Sequence, residues 1–183
     1  MLKIEAISHK MFGSGVNSRY ICHEEGLQPK QMTFFQSTYE CKIDGKGRIL
    51  LPAKFKGQLL PSGGEGSQEL VIRRGFDKCL EVYSTSDFQR KFSGFLGLND
   101  FDEEQRKLKR SFLAGTKQVE MDNSGRFVIP ASLLEYAEVE KDGEVIMAGV
   151  GSYIEIWNSK HYDKSIFPDS ELASLGNKFI NNG

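Results

Sequence analysis

Cysteine, histidine and tryptophan are scarce in this chain, and each scarcity removes a class of function. Its 183 residues hold three cysteines, three histidines and one tryptophan. Cys22, Cys41 and Cys79 form no C-x-x-C pair and are odd in number, so free thiols in a reducing compartment are expected rather than a disulfide framework. His9, His23 and His161 are scattered without ligand spacing, and neither a metal nor a cofactor is expected. No apolar run reaches membrane-spanning length, and charges break up the apolar stretches of the N-terminus. A soluble cytoplasmic protein with no membrane partner is the expectation. Charge of one sign is also missing: the net value of −1 argues against a protein that coats nucleic acid by bulk electrostatics alone.

What the chain does have is a sentence written twice. "DGKGRILLPA" at 44–53 returns as "DNSGRFVIPA" at 122–131, an offset of 78. Downstream, "LVIRRGFDKCLEVY" at 70–83 lies over "EVIMAGVGSYIEIW" at 144–157 with an offset of 74. Self-similarity of this length marks a duplicated supersecondary unit. In the first copy "YECKI" alternates as a strand, "DGKG" is turn chemistry and "RILLP" is a second strand closed by a proline. Pro52 also suits the first position of a short helix, and "AKFKGQLL" places Phe55, Leu59 and Leu60 on one face. "SGGEGSQ" at 62–68 reads as a flexible loop, and "ELVIRRG" and "CLEVYS" as two more strands. Each half is thus β-β-α-β-β. Ser86 and Gln89 make a capping-box pattern for a helix carrying Phe88, Phe92 and Phe95, and 102–115 reads as a further helix.

Local charge differs between the copies. Lys42, Lys46, Arg48, Lys54 and Lys56 against Glu40 and Asp44 give 39–60 a net +3, while 118–142 carries a net −4. The repeated turn has its own chemistry. Asp44 and Asp122 can accept backbone N–H bonds within their turns, and Gly47 and Gly125 supply positive φ before Arg48 and Arg126. An arginine leaving such a stiff turn offers a planar fork to a phosphate or to guanine O6 and N7. The alternative reading is that Asp44 and Arg48 only pair with each other to fix the turn.

These residues carry a family resemblance. "YECKIDGKGRILLPAKFK" with "RGFDKCLEVY", then "DNSGRFVIPASLLEYA" and "YIEIW", resemble the MraZ family of bacterial transcriptional regulators over roughly 32–162. The resemblance implies a mostly β protein with short helices (α+β), made of two AbrB-like swapped-hairpin repeats. These would form a pseudo-twofold β-barrel, assembled as a homo-oligomeric ring. It also implies binding to double-stranded DNA at repeated promoter boxes of the cell-division and cell-wall gene cluster, as a repressor associated with the nucleoid. The expected DNA contacts are Arg48, Lys46, Arg126, Lys42, Lys54 and Arg74, with Arg73 as further support. Asp44, Gly45, Gly47, Asp122 and Gly125 are expected to shape the loops. From the charge arithmetic, the first repeat is expected to read DNA and the second chiefly to build the barrel. The expected divisions are a disordered extension at 1–31, a first repeat at 32–85, a helical connector at 86–115, a second repeat at 116–162 and a flexible tail at 163–183. Met32 falls where family members begin.

The same residues bear on two other classes. Duplicated Asp-Gly loops suggest an aspartic-protease dyad, but an arginine four residues after each aspartate is expected to hold the carboxylate ionised, and no Ser-His-Asp or Cys-His arrangement and no phosphate loop is present. No enzyme activity and no small-molecule substrate is expected. The remaining alternative is an oligomerisation or antitoxin-like module that binds a protein through its hairpins.

Overall fold

The computed structural model describes residues 34–59 and 68–180, so the expectations for 1–31 and for the loop at 62–67 lie outside the described residues. The first half contains β1 (Thr38–Lys42), β2 (Arg48–Leu50), α1 (Ala53–Leu59), β3 (Gln68–Arg74) and β4 (Leu80–Ser84). A helical layer follows: α2 (Thr85–Lys91), α3 (Ser93–Leu96) and α4 (Glu103–Ala114). The second half repeats the first as β5 (Thr116–Met121), β6 (Arg126–Val128), α5 (Ala131–Tyr136), β7 (Glu144–Val150) and β8 (Tyr153–Asn158). Two helices follow, α6 (Ser159–Ser165), which begins at the end of the expected second repeat, and α7 (Asp169–Ile180), which lies in the stretch expected as a tail.

The eight strands form one antiparallel sheet in the order β1-β7-β8-β4-β3-β5-β6-β2, and contact between β1 and β2 brings it close to a closed barrel. Four of its pairings, β1–β7, β8–β4, β3–β5 and β6–β2, join strands from different halves. The main core draws on both repeats. The inner faces supply equivalent residues, Ile43 and Met121, Ile49 and Phe127, Leu51 and Ile129, Phe55 and Leu133, all within one buried cluster. Burying each such side chain contributes roughly 1.5–3 kcal/mol.

Register corrects the sequence alignment. Cys41 pairs with Val145, and its equivalent Val119 pairs with Leu70, so Leu70 corresponds to Val145 at an offset of 75. Ile72 then matches Met147, both in the core, while Leu80 and Ile154 keep the offset of 74. The difference lies in the hairpin tips. Gly75 N–H bonds the Cys79 carbonyl at 2.8 Å across three residues, whereas Val150 and Tyr153 enclose two. One added tip residue shifts the frame. A second correction concerns α2: its N-cap is Ser84, whose Oγ accepts from Asp87 N–H at 3.1 Å, so the cap lies two residues before Ser86.

The helical layer α2–α4 covers the outer face of the first half with Phe88, Phe92, Phe95 and Phe112 around Val71 and Tyr83. Arg73 is 6% exposed, with Nη1 2.6 Å from Glu81 Oε2 and its Cζ 5.0 and 4.8 Å from the Phe92 and Phe112 ring centres. Its expected place on a DNA surface is therefore excluded: it is a buried cation held by one carboxylate and aromatic faces.

Candidate nucleic-acid interface

The two repeated turns share one backbone plan. In the first, Asp44 N–H bonds the Arg48 carbonyl at 2.9 Å, Gly47 N–H bonds the Asp44 carbonyl at 2.8 Å, and Gly47 sits at φ +78. In the second, Asp122 N–H bonds the Arg126 carbonyl at 2.8 Å, Gly125 N–H bonds the Asp122 carbonyl at 2.9 Å, and Gly125 sits at φ +87. Only glycine holds that left-handed angle without steric cost. Each glycine carbonyl is then taken by the other repeat: Ile129 N–H bonds Gly47 and Leu51 N–H bonds Gly125, both at 2.9 Å.

Side chains separate the two turns. Asp44 Oδ1 accepts from the N–H groups of Lys46 at 2.9 Å and Arg48 at 2.8 Å, and its Oδ2 accepts from Arg48 Nε at 2.6 Å. The Arg48 backbone N–H first, then its side chain and the Lys46 N–H, hold the Asp44 carboxyl below its ordinary range. The intraloop pairing is thus real, but it uses Nε alone and leaves both Nη groups without a bond among the described residues. Asp122 Oδ1 accepts only Arg126 N–H, at 2.8 Å, and the Arg126 guanidinium has no ion pair among the described residues.

The barrel brings these arginines onto one ribbon. β2 and β6 pair with Arg48 opposite Val128, Ile49 opposite Phe127 and Leu50 opposite Arg126. Ile49 and Phe127 point inward, and the other four are exposed. Gly47 lies opposite Ile129 and Gly125 opposite Leu51, so the turns are about four residues apart along the ribbon, or about 13 Å at the rise of a strand.

Charge crosses between the halves. Lys56 of α1 donates Nζ to the Asn123 carbonyl at 2.6 Å, in the second turn. Lys42 and Lys56 line, with Glu40, Leu50 and Ser124, a groove of about 620 Å³ beside that turn. The Asp142 carboxylate of the second repeat stands against the first turn, where a Cβ on Gly45 would meet its Oδ2 at 3.2 Å. Two of the five cations that made the first repeat basic in sequence, Lys42 and Lys56, therefore lie beside the second turn.

Of the expected contacts, Lys46, Arg48 and Arg126 stand at the two turns and Lys42 in the adjoining groove. Lys54 reaches Ser37 Oγ at 3.4 Å, at the end of β1 away from the turn. Arg74 places its Cζ 5.1 Å from the Tyr136 ring centre and its N–H on the Gly115 carbonyl, where β5 begins, a strand length from the second turn that follows β5. Lys54 and Arg74 thus do not join the others. Gly45 is not left-handed, while Gly47 and Gly125 are, and Asp44 and Asp122 each accept the N–H of the arginine four residues on. Lys56 was missed. Its signal was in "AKFKGQLL": with Phe55 turned inward, the helical period sends Lys54 and Lys56 to opposite flanks. Among the described residues no cluster of His, Cys, Asp or Glu is placed to hold a metal, and no helix is long and apolar enough to cross a membrane.

Comparison with known proteins matches the same two halves. A family model described as "MraZ protein, putative antitoxin-like" matches residues 34–111 and 112–175. A protein of Cytophaga hutchinsonii named "Transcriptional regulator MraZ" is 40% identical over 150 residues, covering 81% of this chain and 96% of the relative. Proteins of the same name from Christiangramia forsetii and Thermoanaerobacter pseudethanolicus are 35% identical over 147 residues and 38% over 126. These cover 79% and 69% of this chain, and 92% and 82% of the relatives.

Proposed function

The chain belongs to the MraZ family of transcriptional regulators, and from that premise we propose that it binds double-stranded DNA through the β2–β6 ribbon and its two turns. The observation that carries this reading is the placement of Arg48 and Arg126 on one exposed ribbon, each leaving a glycine-stiffened turn with Nη groups unbound among the described residues. Guanidinium forks held this way suit phosphate or guanine edges. Both turns act, since Lys42 and Lys56 supply the second with the charge its own repeat lacks.

The family resemblance supports the finer terms: a cytoplasmic, nucleoid-associated repressor of the cell-division and cell-wall gene cluster, acting at repeated promoter boxes. A few cations per subunit bind DNA weakly, with nonspecific dissociation constants around 10⁻⁴ to 10⁻⁶ M. Several subunits on repeated boxes raise the effective affinity by roughly 10² to 10⁴. A ring would supply that valency, and two surfaces suit a head-to-tail contact. Phe76, at the β3–β4 tip, and Phe101, between α3 and α4, are 81% and 95% exposed. A groove of about 870 Å³ is lined mostly by the second half, with Ala148, Trp157, Ile166 and Phe167, and by Asp77 and Lys78 of the first.

Electrophoretic retardation and footprinting of the DNA upstream of the chain's own gene, with particle size measured in parallel, tests this. Protection at regularly spaced boxes that weakens steeply with salt is expected. Unaltered mobility at low salt would overturn the reading in favour of an antitoxin-like module, which the description of the family model also names.

A further inference from the structure

Two apolar side chains sit where a DNA-facing ribbon has least use for them. Leu50 is 49% and Val128 is 50% exposed, and they occupy the same position of the two repeats. Leu50 lies opposite Arg126 and Val128 opposite Arg48, so arginine and aliphatic residue alternate along each strand and across the ribbon. The barrel does not need them: the inward residues of these strands are Ile49 and Phe127. Scattered exposed leucines are common and require no explanation, but a duplicated pair between two duplicated arginines is a pattern.

We propose that Leu50 and Val128 are specificity-determining residues that pack on the C5-methyl groups of thymines in the major groove, next to base pairs or phosphates held by Arg126 and Arg48. The inference rests on the DNA-binding reading above. The major groove admits a two-stranded β-ribbon, and its thymine methyl is the apolar feature that distinguishes a T·A pair there. Residues two apart on a strand rise about 6.7 Å, close to two base steps at about 3.4 Å each. One strand can thus present its arginine to one base pair and its aliphatic side chain two steps away. On the side of Leu50, Lys42 and Lys56 line the same groove and suit the flanking phosphates.

The test alters the DNA first and then the protein. A duplex carrying the footprinted box is made once with thymine and once with deoxyuridine at every such position, which removes only the methyl groups. The parent protein is expected to bind the deoxyuridine duplex roughly three- to fivefold more weakly for each methyl contacted, the size set by burying one methyl. A variant with Leu50→Ser and Val128→Ser should bind both duplexes alike, with unchanged particle size, whereas Arg48→Ala should bind more weakly and still distinguish them. Equal parent affinity for the two duplexes would overturn this inference and leave DNA binding standing. A serine variant that loses its assembly but keeps the discrimination would overturn it by assigning the face to a second copy of the chain. Failure of the parent to bind either duplex would remove the DNA reading itself.

Discussion

Lys56, on the helix of the first repeat, donates Nζ to the backbone carbonyl of Asn123, in the turn of the second, at 2.6 Å. The second turn is therefore a composite of both repeats, and its charge is borrowed. Lys56→Met keeps the aliphatic stem beside Gly125 and removes the ammonium. DNA affinity is expected to fall severalfold and the salt slope to shrink by about one unit for each lost phosphate contact, with only a small loss of melting temperature from the exposed bond to Asn123. Fluorescence titration at several salt concentrations checks it.

Stiffness of the turns depends on two glycines. Gly47→Ala forces a Cβ into a left-handed residue and within 3.3 Å of the Ile129 carbonyl, while Gly125→Ala meets the flexible Lys56 Cδ at 3.2 Å. Left-handed backbone costs a non-glycine residue about 1–2 kcal/mol. Thermal unfolding should show that loss for both variants and the larger one for Gly47→Ala.

Buried charge on the opposite side of the barrel bears on stability and not on DNA. Arg73→Ala would strand the Glu81 carboxylate, which is 5% exposed and also accepts the Tyr83 hydroxyl at 2.7 Å. Breaking such a pair costs about 3–5 kcal/mol. Chemical denaturation should record a loss of that order, while native Arg73→Ala protein keeps parental DNA affinity.

Glu155 gives a pH signature. It stands directly across β4–β8 from Glu81, and burial, followed by the charges of Glu81 and Asp77, holds its carboxyl above the ordinary 4.5, against hydrogen bonds from Trp157 and Tyr153. A raised carboxyl favours the proton in the native state, so its contribution is full below pH 4.5 and is lost as pH rises through the higher native value. Glu155→Gln, which keeps the neutral form, should therefore raise the melting temperature near neutral pH and leave it unchanged below pH 4.5.

Much of this architecture was legible because local chemistry was written twice. The D-x-x-G-R turns, the strands around them and the helices after Pro52 and Pro130 follow from alternation, turn residues and proline alone. Pairing between halves was not legible from spacing, since β2 joins β6 and not its own neighbour, and only the family resemblance carried the swap. One extra residue in the tip around Phe76 was enough to misalign Leu70 with its partner. Arg73 and Arg74 are adjacent in sequence, yet alternation along β3 sends one into an aromatic layer and the other to the surface. Charge summed along a segment likewise failed to give charge at a turn, because Lys56 and Asp142 each serve the opposite repeat.

The central claim is that the two arginine turns form one DNA-binding surface, and it is tested most directly by titrating Arg48→Ala, Arg126→Ala and the double variant against the footprinted duplex. Each single change is expected to weaken binding at least tenfold and flatten its salt dependence, with parental melting temperature and particle size, and the double change to abolish specific binding. Parental affinity in either single variant, folded and assembled as the parent is, would contradict the account.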